Sequence, residues 1–156
     1  MTPAINEAKK QKIQYKVHQY THNPGHSSYG LEAAESLDLD AARVFKTLVV
    51  QLDNGTLTVG IVPVSSKLNM KQVAKAAGGK KAAMADAALV ERSTGYVLGG
   101  VSPLGQKKRL STIIDSSASD HKTVFVSGGR RGLEIELSPD DLCRLTSASF
   151  AAIANY

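Results

Sequence analysis

VFKTLVVQLDNGTLTVGIVPV, residues 44–64, predicts the centre of the fold. Its two flanks, residues 44–52 and 56–64, are rich in β-branched and apolar side chains, which is typical of strands. Between them lies Asp53-Asn54-Gly55, in which the Asn-Gly pair suits the positive φ angles of a tight hairpin turn. We therefore predict an antiparallel β-hairpin over residues 44–64.

The segments before the hairpin predict a helix, a strand, a loop and a second helix. Thr2 and Pro3 favour the start of a short amphipathic helix, because threonine caps helices and proline suits the first helical position. The alternating residues 15–20 predict a strand. Asn-Pro-Gly within residues 21–30 predicts a loop, and LEAAESL, residues 31–37, predicts a helix.

After the hairpin the sequence predicts two capped helices and further strands. Asn69 is the expected cap of a helix over residues 70–77 that ends at Gly78-Gly79. Asp86 is the expected cap of a second helix, over residues 87–93. Strands are predicted at four more segments: 80–85, 110–115, 123–128 and 133–137.

The end of the chain predicts a long helix. Ser138-Pro139 has the chemistry of a helix start, and the helix is expected to hold Cys143 and to continue through SFAAIANY, residues 149–156. Without repeats or linkers, residues 1–156 are expected to form one domain. The dispersed helices favour an α+β class with a mixed, barrel-like β-sheet flanked by helices over a doubly wound fold.

The composition predicts a cytoplasmic protein with a packed core. The chain is 42% hydrophobic and 21% charged, as in ordinary folded proteins. Its start lacks a signal-peptide pattern, and no stretch approaches the ~20 apolar residues of a membrane span, so no membrane partner is expected. The single cysteine, Cys143, excludes an intramolecular disulfide and a cysteine-rich zinc site.

The charge favours an anionic partner without naming it. Lys and Arg number 19 against 14 Asp and Glu, which gives a net charge of +5. The alternative is that the cations belong to solvated turns and helix faces. The clustered cations are Lys9-Lys10, Lys80-Lys81, Lys107-Lys108-Arg109 and Arg130-Arg131.

Common catalytic and cofactor motifs are missing from the sequence. The segment 99–110, GGVSPLGQKKRL, has the glycine spacing of a phosphate loop, but its lysine comes one place late and no hydroxyl residue follows. GxGxxG and GxSxG are also absent, and Cys143 is expected to pack against the core rather than act as a nucleophile. His18 and His22 are four residues apart, but no glutamate follows the first and their segment predicts strand and loop rather than helix. All four histidines are therefore interpreted as ordinary polar or loop residues: His18, His22, His26 and His121.

Two features remain as candidate site elements. Lys46 lies in an apolar predicted strand, where an inward lysine is costly unless it is paired or binds an anion. An outward or edge-strand lysine is the alternative. Glycines at 95–105 and 128–132 flank strands, where bare backbone can approach a ligand, although turns alone would also account for them.

These same segments resemble the YbaK family of free-standing aminoacyl-tRNA deacylases, which is similar to the editing domain of bacterial prolyl-tRNA synthetases. The likeness runs from TPA at the start to the C-terminal segment in one register. The segments that carry it are VFKTLVV (44–50), VPV (62–64) followed by KLNMKQVAKAAGGKK, RSTGYVLGGVSPLGQKKRL (92–110) and VSGGRRGLEIEL (126–137).

The resemblance implies a deacylase that removes cysteine mischarged onto tRNA(Pro), in trans beside prolyl-tRNA synthetase. It implies a compact α+β editing domain over residues 1–156, with no metal or organic cofactor and no DNA as partner. In the family the substrate's own thiol is thought to attack its carbonyl. Release of a thiolactone would make the step formally that of a lyase rather than a hydrolase.

The resemblance also implies roles for particular residues. Lys46 would line the pocket and hold the 3′ end of the substrate, with Thr47 beside it. The backbone of a GxxxP loop would surround the aminoacyl carbonyl, formed by Gly99, Gly100, Val101, Ser102 and Pro103. The other substrate-binding residues would be the aromatics Tyr20 and Tyr29, the facing wall Ser127, Gly128 and Gly129, and Glu134.

Two alternatives stay open beside this reading. The same fold could act on another small amino acid on tRNA, alanine or serine, or it could be a non-catalytic module that binds tRNA or the synthetase. The basic runs at 80, 107 and 130 could steer the acceptor stem. For Lys107, Lys108 and Arg109 the sequence leaves contact with tRNA and contact with water equally open.

Overall fold

The computed structural model describes residues 1–25 and 28–156, so His26 and Ser27 of the predicted loop lie outside the described residues. Within these ranges the helices are α1 (Pro3–Lys10), α2 (Tyr29–Ser36), α3 (Met70–Ala76), α4 (Ala87–Thr94) and α5 (Pro139–Thr146), with a 3-10 helix at Ser116–Asp120. The strands are β1 (Tyr15–Gln19), β2 (Phe45–Leu52), β3 (Leu57–Pro63), β4 (Lys67–Leu68), β5 (Ala82–Met84), β6 (Ser111–Asp115), β7 (Val124–Ser127), β8 (Leu133–Leu137), β9 (Ser149–Ala151) and β10 (Ala154–Asn155).

The predicted hairpin is confirmed and lies inside the larger sheet. β2 and β3 pair antiparallel, with Phe45 opposite Pro63 and Gln51 opposite Leu57. β5 pairs antiparallel with β2, whereas β6 and β9 extend the sheet in parallel on the β3 side. The resulting order, β5-β2-β3-β6-β9, makes this a mixed sheet, as predicted.

A smaller antiparallel sheet packs beside the first. It has the order β1-β8-β7, and β4 pairs separately with β10. The two main sheets meet where Val44, just before β2, forms a parallel bridge with Phe125 of β7. This junction brings the start of β2 close to the strands of the smaller sheet.

The apolar core lies between the two main sheets. Inward residues of the hairpin, such as Phe45 and Val59, pack in one cluster with Ile135 of β8. The other face of the larger sheet packs against α3 and the C-terminal segment. Helix α2 covers the junction of the sheets, where Ala33 and Ala34 are buried.

Three predicted helix starts are confirmed by their capping hydrogen bonds. The side chains of Thr2, Asn69 and Ser138 each accept a hydrogen bond from a backbone N–H group of the first helical turn. Asp86 stands at the N-cap position of α4, but its side chain makes no capping bond to the described residues. Local capping chemistry therefore predicted most helix boundaries.

The prediction that the last helix continues through SFAAIANY is wrong. α5 ends at Thr146, because Ser147 takes a left-handed conformation with φ 55° and the Ala148 N–H donates to Cys143 O. The next residues form β9 and β10 instead. The N–H groups of Ile153 and Ala154 donate to the buried Asp115 carboxylate, at 3.0 and 3.1 Å, which binds this segment to β6.

The α+β class is confirmed, but the sheet does not close into a barrel. In the part of the chain that the structure describes, β5 and β9 are the two edges of an open five-stranded sheet. Among the described residues the one β-bridge between the two main sheets is that of Val44 with Phe125, and β1, β8 and β7 otherwise pair among themselves, so the strands do not form a closed ring. Among residues 1–25 and 28–156, no helix combines the length and apolarity needed to cross a membrane.

Candidate active site

One cavity of about 360 Å³ lies at the junction of the two sheets. Four segments converge on it: the first half of β2, the end of β1 with the start of α2, the loop before β6, and the turn between β7 and β8. Its lining residues are Tyr20, Ser28, Tyr29, Gly30, Val44, Phe45, Lys46, Thr47, Leu48, Leu98, Gly99, Val101, Ser127, Arg130, Arg131 and Glu134.

Lys46 reaches this cavity from an interior strand. β2 lies between β3 and β5 in the sheet order, although β5 pairs only with the second half of β2, and the half-buried Lys46 lines the cavity. Burial lowers the pKa of Lys46, and the positive charge of neighbouring Lys67 lowers it further. Among the described residues no carboxylate lies within ion-pair distance of Lys46. The amine is therefore available to a ligand.

Glu134 faces the same cavity from β8. It is only 6% exposed and stands opposite Ser127 of β7 and His18 of β1. Burial raises the pKa of Glu134 to about 8. The side chain is therefore mostly protonated at neutral pH, and a protonated carboxyl can donate a hydrogen bond.

Tyr29 forms the outer wall of the cavity together with Arg131 and Gly99. The Arg131 guanidinium carbon lies 3.5 Å from the centre of the Tyr29 ring, a cation–π contact. Gly99 has a φ of 89°, and a Cβ added there would lie 2.7 Å from Cε2 of Tyr29. The ring is thus already packed on protein groups, which leaves less room for a base to stack on it.

Two hydroxyl groups line the cavity beside these residues. The buried Thr47 Oγ1 has no hydrogen-bond partner among the described residues. Ser127 Oγ accepts a hydrogen bond from the Gly129 N–H at 3.1 Å. Thr47 therefore offers an unused donor and acceptor to a ligand, whereas Ser127 also shapes the adjacent turn.

The loop 99–103 enters the cavity only through Gly99 and Val101. Gly100 packs on Arg130, since an added Cβ would lie 2.9 Å from the Arg130 Cα, and its N–H donates to Val97 O at 3.0 Å. That amide is committed to a turn and is not free for an aminoacyl carbonyl. Ser102 is fully buried and its Oγ accepts from the Leu104 N–H, at 3.2 Å.

The remaining predicted residues also lie behind the cavity wall. Pro103 lines a separate, smaller depression. Gly128 accepts a hydrogen bond from Thr2 Oγ1 through its carbonyl oxygen and donates its N–H to Leu133 O. Gly129 packs on Tyr96, whose Cε1 would lie 2.9 Å from an added Cβ. These residues support the wall from outside the cavity.

The cavity includes residues that the sequence did not single out as site residues. Leu98 is exposed at its rim, and Arg130 and Arg131 line it from the turn after β7. From the sequence, the paired arginines are a basic run that could steer the acceptor stem, not residues of the pocket. Their place beside Tyr29 could not be read from spacing, because the β7–β8 turn and α2 are far apart in the chain.

Two other predicted features lie away from the cavity. The backbone N–H groups of Lys107 and Lys108 donate to Thr94 O and Ser93 O, and the Arg109 side chain bonds to Ser147 Oγ. Cys143 is partly buried and its Sγ donates to Ala148 O at 3.1 Å. Burial raises the pKa of the Cys143 thiol, which disfavours the nucleophilic thiolate.

The histidines of the described residues take part in structural contacts. His18 bonds to Glu136, at 2.9 Å, and His22 bonds to Glu32, at 2.7 Å. His26 lies outside the described residues. Within residues 1–25 and 28–156, no three His, Cys, Asp or Glu side chains are grouped as metal ligands would be.

Comparison with known proteins finds a matching family model and similar sequences. A family model described as "Aminoacyl-tRNA editing domain" matches residues 22–145. A protein of Enterococcus faecalis named "Putative Cys-tRNA(Pro)/Cys-tRNA(Cys) deacylase EbsC" is 36% identical over 152 residues, which cover 97% of this chain and 92% of that protein.

Solved structures show the same fold. One, described as "hypothetical protein APE2540", has a TM-score of 0.87 at 25% identity and covers 99% of this chain and 100% of its own. Another, described as "a putative trans-editing enzyme for prolyl tRNA synthetase", has a TM-score of 0.85 at 22% identity, with 99% and 96% covered. This second likeness concerns the fold alone.

Proposed function

The chain belongs to the aminoacyl-tRNA editing domain family, and on that premise we propose that it deacylates cysteine mischarged onto tRNA(Pro). The observation that carries this proposal is one cavity lined by a half-buried lysine, with no carboxylate within ion-pair distance among the described residues, and by a buried carboxyl whose pKa is raised by burial. Groups with shifted pKa values that meet in a cavity are typical of catalytic sites. The name of the 36% identical relative supports the substrate.

The first step assigned to the site is activation of the substrate thiol. A cysteine thiol has an ordinary pKa of about 8.5. The lowered pKa of Lys46 increases the fraction of its amine that is neutral, and only the neutral amine can accept the thiol proton. The resulting thiolate attacks the ester carbonyl carbon of its own aminoacyl group. The substrate supplies the nucleophile, so the protein needs none, and Cys143 plays no part.

The second step is cleavage of the ester. As the new C–S bond forms, the C–O bond to the terminal ribose breaks, and the ribose oxygen takes the proton held by Lys46. The products are a cyclic thiolactone and tRNA with a free hydroxyl. Glu134, as a neutral acid, and the Thr47 hydroxyl would donate hydrogen bonds to the carbonyl oxygen as its negative charge grows.

We assign the other predicted residues to substrate binding or to support of the wall. Tyr20, Tyr29, Gly99, Val101 and Ser127 would bound the aminoacyl-adenosine end of the substrate. The residues behind the wall would keep those in place: Gly100, Ser102, Pro103, Gly128 and Gly129. Selectivity over alanine would then come from chemistry, because alanine has no side-chain nucleophile.

The test is a panel of tRNA(Pro) charged with cysteine, alanine, serine or proline. We expect cysteine to be released about a hundredfold faster than without protein, and the other three to remain near the uncatalysed rate. Intact Cys-tRNA(Pro) would contradict the proposal. Release of alanine or serine faster than cysteine would mean that the protein acts on that amino acid instead. Binding without turnover, unchanged in Lys46→Ala, would favour a non-catalytic module.

Product analysis separates the two reaction classes. The substrate-assisted route predicts that the first product in early acid-quenched samples, identified by mass spectrometry, is a thiolactone that is one water molecule lighter than cysteine. Free cysteine as the first product, with no thiolactone at any time point, would instead indicate direct hydrolysis. Either outcome leaves the deacylase activity itself in place.

The proposal extends to partners and place of action. We propose that residues 1–156 act as one editing domain in the cytoplasm, on tRNA, beside prolyl-tRNA synthetase. Support for the synthetase comes from the description of one structural neighbour. Co-sedimentation with the synthetase, with and without tRNA(Pro), tests the association, and separate sedimentation in both mixtures would contradict it.

A further inference from the structure

Glu32 is a charged residue buried on α2, outside the lining of the cavity. It is 2% exposed, and both of its carboxylate oxygens accept hydrogen bonds. Oε1 lies 2.7 Å from Nδ1 of His22, and Oε2 accepts from the Asn23 N–H at 2.8 Å. Burial of a carboxylate is costly unless hydrogen bonds replace water, so these bonds account for its position.

These bonds join two parts of the cavity wall. His22 and Asn23 follow Tyr20, which lines the cavity from the end of β1. Glu32 lies in α2 three residues after Tyr29, which lines it from the first turn of the helix. The carboxylate therefore holds the segment after Tyr20 against the helix that carries Tyr29.

Helix α2 is itself held firmly on the larger sheet. A Cβ added to Gly30 would lie 2.3 Å from Cγ1 of Val64, so the backbone of α2 contacts the end of the hairpin directly. Ala33 and Ala34 are buried in the cluster with Val44. A segment that is hydrogen-bonded to α2 is therefore held in a fixed position relative to the larger sheet.

We propose that Glu32, through His22 and Asn23, is a positioning residue for substrate binding: it holds the Tyr20 side of the cavity at the spacing that an aminoacyl-adenosine end requires. This inference rests on the proposed function. It assigns Glu32 to binding and not to the chemical steps, because Lys46 and Glu134 lie on β2 and β8, which these bonds do not join.

The test uses Glu32→Gln with a matched control. Glu136→Gln removes the carboxylate of the other histidine–carboxylate pair, which lies outside the cavity. For Glu32→Gln we expect the KM for Cys-tRNA(Pro) to rise about tenfold with kcat within about threefold of wild type. Equal KM values in the two variants, or a fall in kcat alone, would overturn the inference.

Conservative exchange of His22 sharpens the test. The amide N–H of asparagine can donate from nearly the place of the histidine Nδ1, so His22→Asn is expected to keep a KM near wild type. His22→Ala lacks the donor and is expected to behave like Glu32→Gln. Loss of binding in both His22 variants to the same degree would contradict a positioning bond.

A readout without catalysis separates this inference from the proposed function. Binding of 3′-cysteinylamino-3′-deoxyadenosine, whose amide resists deacylation, is expected to weaken about tenfold in Glu32→Gln and to stay unchanged in Glu136→Gln. Hydrogen exchange of the Asn23 amide is expected to quicken in Glu32→Gln. Unchanged exchange would overturn the inference even if wild type proves inactive on Cys-tRNA(Pro).

Discussion

Glu134 and Glu136 lie two residues apart on the same face of β8, yet their surroundings shift their pKa values in opposite directions. Glu134 faces the cavity, and burial raises its pKa to about 8. Burial also tends to raise the pKa of Glu136, but hydrogen bonds from Thr123 and His18 outweigh it, and the pKa is lowered.

The contrast shows what makes one end of this sheet a candidate site. At the Glu136 end the protein supplies the partners of the carboxylate, including Arg43 at 3.8 Å. At the Glu134 end, burial raises the pKa and no residue of the described ranges forms a hydrogen bond or ion pair with the carboxyl that would offset it. A buried polar group that its own protein leaves uncompensated is stable only because the rest of the fold holds it there, and such groups are typical of functional sites.

The largest effect is expected when a lysine of the cavity is replaced, in comparison with a lysine beside Glu136. Lys46→Ala should lower kcat/KM for Cys-tRNA(Pro) about a thousandfold, because it removes the proposed proton acceptor. Lys16, opposite Glu136 in the β1–β8 register, is the control, and Lys16→Ala should change the rate less than about threefold. Comparable losses in both variants would mean that general positive charge, not the cavity lysine, supports the reaction.

The second prediction concerns stability and its pH dependence. Between pH 4.5 and about 8 the unfolded state ionises at Glu134 while the folded state keeps its proton, so wild-type stability falls as pH rises. Glu134→Gln removes that loss. Above about pH 8 the free energy of unfolding of the variant should exceed that of wild type by a few kcal/mol. The upper limit is about 5 kcal/mol, which corresponds to the whole rise of the Glu134 pKa from 4.5 to about 8.

Glu136→Gln should change the free energy of unfolding with the opposite sign. Urea unfolding of wild type and both glutamine variants across the pH range measures these changes. A lowered folded pKa stabilises the protein above the unfolded value and ceases to do so as pH falls through the folded value. The variant should therefore lose about 1–2 kcal/mol at neutral pH and approach wild type in acid. If the free energies of unfolding of the two glutamine variants depended on pH in the same way, Glu134 and Glu136 would not have oppositely shifted pKa values.

The third prediction tests the outer wall at the Glu134 end. Gly99 and Gly55 have nearly equal φ angles, 89° and 88°, but only Gly99 lies against Tyr29. Gly99→Ala should destabilise the protein by about 1–2 kcal/mol more than Gly55→Ala and should raise the KM, because Tyr29 must move. Thermal unfolding and kinetics of the pair check this, and equal effects would show that Tyr29 adjusts freely.

The smallest effect is expected at Cys143, which does not line the cavity. Its thiol hydrogen bond to Ala148 O is weak, and the proposed chemistry does not use it. Cys143→Ser should keep deacylation within about threefold of wild type. Loss of most activity in this variant alone, with folding intact, would contradict the role of the substrate thiol.

The sequence was most informative where the interacting residues are close in the chain. Asp53-Asn54-Gly55 predicted the hairpin, and Thr2, Asn69 and Ser138 predicted helix starts, because turns and caps depend on neighbouring residues. The segment 149–156 was predicted to continue the helix that starts at Ser138. Its strands depend on pairing with β6 and β4, which local propensity does not register.

The candidate site was predicted in part for the same reason. Lys46 stood out because a lysine inside an apolar strand is costly wherever that strand lies. Nothing local distinguishes Glu134 from Glu136, since both alternate with the apolar residues of one strand, Leu133, Ile135 and Leu137. Arg131 and Glu32 likewise gain their places only when the β7–β8 turn and α2 meet at the cavity.

The sequence by itself thus determined the hairpin, most helix boundaries, the α+β class and the lysine at the centre of the candidate site. Tertiary structure alone decided that the sheet stays open, that the chain ends in strands, and that Glu134 is buried as an acid while Glu136 is paired. The physical reason is that hydrogen-bond and φ preferences act over a few residues, whereas burial and charge depend on which distant segments the folded chain brings together.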